Sequence, residues 1–231
     1  MNRKKVILVI VEGPSDEQAL GLALSNVFDK NTVRIEVLHR DITSDYDSKS
    51  GNIVSAIDRI VKVFLENNKY IKKPDILKII HIVDTDGTFI PETCVEENKA
   101  VTEWIYSDSK IIAPSKQAVI DRNQRKSANL LKLVAVNEIN RIPYGIYYMS
   151  CNLDVVLYEK YNSSDEEKEQ DAYEFAIKYK DDIDGFIKFI SKSSFTVPGD
   201  YRETWKFIQK DHNSLLRYSN IHLGINRTTS E

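Results

Sequence analysis

The chain is 231 residues long, with 42% hydrophobic and 29% charged residues and a formal net charge of −3. That length supports one elaborated domain or a domain with a smaller appendage, and the slight acidity excludes nucleic-acid binding over the whole surface, leaving only local basic patches for phosphate contact. No apolar run approaches the ~20 residues of a membrane helix, and the run after Arg3, Lys4 and Lys5 is too short for a signal peptide, so a cytoplasmic location away from membranes is expected.

Val6 to Val11 is a continuous aliphatic run, the pattern of a strand covered on both faces in a parallel sheet. It ends at Glu12-Gly13-Pro14-Ser15, where Gly and Pro stop the strand. Ser15 can cap a helix that carries Ala19, Leu20, Ala23, Leu24 and Val27 at helical spacing. Val33 to Leu38 alternates as a second strand, and Asp41 to Gly51 reads as polar loop. Ile53, Ile57, Ile60, Val61, Phe64 and Leu65 define a second amphipathic helix. Ile76 to Val83 supplies another buried strand, which stops at Asp84-Thr85-Asp86-Gly87. Strands alternating with helices in this way predict βαβ units and a parallel sheet.

Beyond Gly87, helices are predicted over Glu96 to Tyr106 and Ser115 to Ile139, so that 88–140 reads as a helical insertion before a fourth strand at Tyr144 to Met149. That strand runs into Ser150-Cys151-Asn152-Leu153-Asp154, a helix start. A charged stretch from Asp165 to Glu174 follows, then helical patterns at Phe186 to Ile190 and Trp205 to Leu216, and Asn226 to Glu231 reads as a frayed tail. The predicted architecture is an α/β, Rossmann-like domain over 1–160, with a parallel sheet of about four strands flanked by helices, and a helical C-terminal extension over 161–231.

All strands of a parallel sheet end on the same edge, and ligands bind in the crevice outside those ends. Glu12 follows the first strand, Asp84 and Asp86 follow the third, Asp154 lies just past the fourth, and Asp16 sits one helical turn beyond Glu12. Carboxylates packed this closely repel one another unless a cation neutralises them, and an all-oxygen set suits Mg²⁺ or Mn²⁺ better than Zn²⁺. Such ions serve phosphate chemistry by polarising a phosphoryl oxygen, activating water and stabilising the leaving oxygen. Cys94 and Cys151 are far apart and the four histidines show no paired spacing, which argues against zinc or a disulfide framework.

Glu12-Gly13 after one hydrophobic strand and Asp84-Thr85-Asp86 after a later one resemble the two signature motifs of the Toprim domain, found in topoisomerases, bacterial primases, recombination proteins and the OLD family of nucleases. The string from Glu12 through Asp16 to Leu20 is similar to the OLD-type version, in which an acid four positions after the Glu also reaches the metals. The resemblance covers roughly residues 5–155. It implies a Toprim-like fold and a Mg²⁺- or Mn²⁺-dependent nuclease whose catalytic set is Glu12, Asp84 and Asp86. Glu12 would be ligand or base, Asp16, Asp84 and Asp86 ligands, and Asp154 a further acid after the fourth strand. It also implies a basic residue that stabilises the transition state, for which Lys206 and Lys210 near the C-terminus are the candidates. No Gly-x-x-x-x-Gly-Lys-Ser/Thr loop is present, so the ATPase of OLD proteins would be a partner on a separate chain. Defence against phage or mobile elements is the setting the resemblance suggests.

Lys110 to Lys132 is basic against the single acid Asp121, and Lys116, Arg122, Arg125 and Lys126 within it are candidates to track a phosphate backbone. DNA rather than RNA is the expected substrate. Two other readings stay open. Val83-Asp84-Thr85-Asp86-Gly87-Thr88 resembles the nucleophile loop of HAD-type phosphatases, with Asp84 attacking phosphate and Asp86 as acid/base and Gly199-Asp200 as a later metal motif. That loop normally follows the first strand, the acid expected after Asp200 is replaced by Thr204, and Glu12 is left without a role. The third reading is a non-catalytic, Toprim-like binding or sensing subunit.

Overall fold

The computed structural model describes residues 5–28, 33–37, 41–45 and 52–225; Leu38 and the 226–231 tail lie outside the described residues. The first aliphatic run forms β1 (Val6–Val11), buried throughout. Its side chains divide between two cores, with Val6, Leu8 and Ile10 in one and Ile7, Val9 and Val11 in the other. Successive residues of a strand point to opposite faces, so a strand apolar on both faces belongs inside a sheet covered on both sides.

One cover is α1 (Pro14–Phe28), which buries Ala19, Leu20, Ala23, Leu24 and Val27. It returns the chain to β2 (Val33–Val37), parallel to β1. A short helix, α2 (Ile42–Asp45), occupies part of the segment predicted as loop. The other face is covered by α3 (Ile53–Asn67), whose cap Asn52 accepts from the Val54 N–H. Next, β3 (Ile76–Asp84) pairs parallel with β1 on the side away from β2.

The segment 88–140 departs from the all-helical insertion predicted for it. Where a helix was expected over Glu96 to Tyr106, the chain forms β4 (Val95–Glu97) and β5 (Ile105–Tyr106), which join β6 (Ile111–Ala113) in a separate three-stranded sheet. The side chains of Asn98 and Ser107 hydrogen-bond the nearby N–H groups of Ala100 and Lys110 and turn the backbone, a competition that short polar side chains win over helix. Val95, Ile111 and Ala113 then bury themselves in a third small core with Cys151 and Leu215. α4 (Lys116–Val134), capped by Ser115, does form but stops short of Ile139. Instead Ile139 lies in β7 (Glu138–Ile139), joined to β8 (Ile142–Ser150) through Asn140 and Arg141, both at positive φ (53° and 61°), as a tight two-residue hairpin turn requires.

After β8 come α5 (Leu153–Tyr158), α6 (Asp165–Lys178), α7 (Ile183–Lys192), α8 (Tyr201–Ile208), β9 (Tyr218–Ser219) and α9 (His222–Ile225). The helix predicted over Trp205 to Leu216 ends at Ile208. The main sheet runs β2-β1-β3-β8-β7, with its first four strands parallel, and β9 adds antiparallel to the end of β8. The C-terminal segment packs on both faces of this sheet, Phe175, Phe186 and Ile190 beside α1 and Trp205 and Ile208 on the opposite side. The protein is thus mixed α/β, a mostly parallel sheet flanked by helices, and among the described residues no helix is long and apolar enough to cross a membrane.

Candidate functional site

Glu12 directly follows β1 and Asp84 ends β3. Because these strands are parallel neighbours, with Ile10 opposite His81, both acids emerge on the same sheet edge. Asp84 Oδ1 accepts the Leu153 N–H at 3.0 Å, at the start of α5. Asp16, in the first turn of α1, closes the Glu12–Gly13 turn by accepting the Gly13 N–H at 2.9 Å. Asp154 is buried in the first turn of α5. Asp16, Asp84 and Asp154 line a cleft of about 280 Å³, with Lys168 of α6 at its wall.

Asp86, which is not among the residues lining that cleft, sits in a turn where it and Gly87 both have positive φ (46° and 66°). The turn is held by the Asp86 N–H, which donates to the Cys151 carbonyl at 2.7 Å, and by the Gly87 N–H, which donates to the Ser214 carbonyl at 2.9 Å. Lys126 of α4, fully buried, reaches Asp86 Oδ2 at 2.5 Å and Asp41 Oδ2 at 2.6 Å. One helical turn earlier Arg122 donates to the Asp86 carbonyl at 2.9 Å and lies over the Trp104 ring, 4.9 Å from its centroid. Asp41 also accepts from Thr43 and Ser44, so α2 begins on a carboxylate with four protein donors besides Lys126.

Electrostatics separates these acids into two kinds. Burial raises the Glu12 carboxyl well above its ordinary value; Lys126 opposes the rise while Asp41, Asp84 and Asp86 add to it. The Asp84 carboxyl is raised in the same way, by burial first and then by Asp16 and Asp86. Burial pushes Asp16 up to about 6, against the Gly13 hydrogen bond and with Asp154 adding to the rise, and burial raises Asp154 as well. Asp41 goes the other way: burial alone would raise it, but the Lys126 ammonium and the Lys126, Ser44 and Thr43 hydrogen bonds hold it well below the carboxylate range. Burial would likewise strip Lys126 of its proton, yet Asp86, Asp41 and Glu12 hold it firmly charged.

Lys126 and Arg122 pair with Asp41 and Asp86, Lys168 lies near Asp16 and Asp154, and Glu12 and Asp84 form no ion pair among the described residues. Glu12 Oε1 is shielded from solvent and has no hydrogen-bond partner. Surplus buried carboxyl oxygen of this kind fits a hard divalent cation. Among the described residues, however, no trio of His, Cys, Asp or Glu side chains is set to hold a metal ion as the side chains stand, and Asp86 is engaged by Lys126.

The structure thus brings Glu12, Asp16, Asp84, Asp86 and Asp154 to one edge. Of the four residues expected to track phosphates, Arg122 and Lys126 point inward onto Asp86 rather than outward. Arg125 is exposed but spends its Nε–H on the Ser44 carbonyl at 3.2 Å, and Lys116 starts α4 beside Glu97. Lys206 and Lys210 are exposed, and among the described residues neither pairs with an acid. Asp200, the later acid of the phosphatase reading, caps α8 in a reciprocal pair with Glu203. Asp41 and the inward roles of Arg122 and Lys126 are what the sequence reading missed. No protein-family model, curated protein or solved structure matches the chain.

Proposed function

We propose that the chain is a Mg²⁺- or Mn²⁺-dependent nuclease built on a Toprim-like core of the OLD type, cleaving nucleic-acid phosphodiester bonds, with DNA as its first substrate. The observation that carries this reading is the meeting of Glu12 and Asp84, from neighbouring parallel strands, in a site where Glu12 Oε1 is shielded from solvent and has no partner. Glu12, Asp84, Asp16 and Asp154 would hold the ion. A bound divalent cation supplies polarisation of the phosphoryl oxygen and acidification of water.

The protein's own groups do the rest. Glu12, its proton affinity raised by burial, accepts the proton of the attacking water. Asp84 is aimed by the Leu153 N–H. Asp86 anchors Lys126 and Arg122, which fix the turn after β3 beside the acids. A partner ATPase on a separate chain and a role in defence against phage or mobile elements follow the same OLD resemblance.

The test is incubation of supercoiled plasmid, and separately of RNA, with the purified chain and Mg²⁺ or Mn²⁺. Nicking is expected with the ion, none in EDTA, and a loss of at least ~100-fold in Glu12→Gln. Release of phosphate from p-nitrophenyl phosphate that needs Asp84 but not Glu12 would transfer the chain to the phosphatase reading, and neither activity would leave the binding subunit.

A further inference from the structure

Cys94 and His212 are 118 residues apart in sequence, yet Cys94 Sγ and His212 Nε2 are 3.1 Å apart. Cys94 ends a 3₁₀ turn, Glu92–Cys94, that leads into β4, and His212 lies in the turn after α8. The thiol is half-buried and free of any disulfide. A thiol against an imidazole nitrogen can pass its proton to the ring, and the thiolate so formed, steadied by the imidazolium, is the reactive form of cysteine. The His212 turn is itself fixed, because the Leu215 N–H donates to the His212 carbonyl at 2.8 Å, and Ser214 holds the Gly87 N–H and the Thr85 hydroxyl. The imidazole is therefore presented from a well-anchored turn.

We propose that Cys94 and His212 form a thiol–imidazole pair that makes Cys94 a site of covalent modification by hydroperoxides and other small soft electrophiles. The pair contains none of the site carboxylates, so the inference stands whether or not the chain is a nuclease. With hydrogen peroxide, the Cys94 thiolate attacks one oxygen, an S–O bond forms as the O–O bond breaks, and the departing hydroxide takes the imidazolium proton and leaves as water. The sulfur is oxidised by two electrons to the sulfenic acid and the peroxide is reduced. Cys151, the other cysteine in the chain, is fully buried and serves as an internal reference.

The experiment is limited alkylation of the folded chain with iodoacetamide, with the rate at each cysteine read by peptide mass spectrometry. The same measurement is made on His212→Gln and on the wild-type chain unfolded in guanidinium. Cys94 of the folded wild type is expected to react at least ~10-fold faster than in His212→Gln and faster than in the unfolded chain, with Cys151 untouched in the folded protein. A folded Cys94 that fails to outpace either reference overturns the proposal, and the unfolded wild type decides it should His212→Gln not fold. Hydrogen peroxide followed by dimedone is expected to label Cys94, and absence of that label likewise overturns it.

Discussion

The Lys126 ammonium lies 2.5 Å from Asp86 Oδ2, so the interior of α4 is tied to the turn that ends β3. The same ammonium binds Asp41, and one fully buried lysine thereby links three separate parts of the chain around the site. A buried charge pair adds little over a well-packed apolar one, but losing one partner strands the other.

Lys126→Met would leave Asp41 to its Thr43 and Ser44 donors and Asp86 to Arg122, and unfolding in urea is expected to show a loss of about 2–4 kcal/mol, below the full cost of an unpaired buried charge. A loss under about 1 kcal/mol would mean that water reaches the two carboxylates and that the pair is not the buried link described.

Gly87 has φ +66°, and a Cβ there would come within 2.5 Å of Leu215 Cδ2. Gly87→Ala is expected to destabilise the fold by about 1–3 kcal/mol, part from the left-handed backbone and part from the clash. Leu215→Ala costs core packing of its own but relieves the contact with the added Cβ, so a double-mutant cycle should return a favourable coupling energy. Strict additivity would show that the two residues do not meet.

Much of this was legible beforehand. The Val6–Val11 run carries no polar residue on either face, and Ile76–Asp84 is apolar over most of its length, so their places as central strands, and hence the shared edge for Glu12 and Asp84, follow from residue type alone. What escaped was the direction of α4. Its buried face holds Val119, Ile120, Leu130 and Leu133, but also Arg122, Asn123, Lys126 and Asn129. Read as charge, those residues suggested a solvated phosphate-binding surface; read by spacing, Arg122 and Lys126 continue the apolar stripe and had to be buried. A lysine can take such a position only where acids wait for it, and Asp41 sits in a segment whose composition reads as loop. The small sheet of β4, β5 and β6 was hidden for another reason: two- and three-residue strands are too short to show a period.

The raised carboxyls set a pH dependence. An acid whose folded value lies above its unfolded one adds full stability below the unfolded value, about 4.3 for Glu, and loses that contribution as pH climbs through the folded value. Glu12 is such a group, raised by burial. Removing its charge with Glu12→Gln should therefore raise Tm more at pH 7.5 than at pH 4.5 in EDTA. An equal change at both pH values would show that Glu12 is not a strained buried acid.

Asp16, raised to about 6 by burial, gives up its proton around pH 6 in the folded chain. Protons therefore compete with a cation at this cleft in acid, and the rise in Tm produced by Mn²⁺ should be larger at pH 7.5 than at pH 5. A Mn²⁺ effect independent of pH would place the ion away from Asp16 and its neighbours.

The central claim is that Glu12 and Asp84, delivered by adjacent strand ends, share one divalent cation. Electron paramagnetic resonance of free Mn²⁺, titrated with wild type, Glu12→Gln and Asp84→Asn at pH 7.5, measures it directly. The account predicts saturable binding by the wild type, weakened at least ~10-fold, about 1.4 kcal/mol, by each single substitution. Binding of equal strength in all three proteins, or none in the wild type, would contradict it.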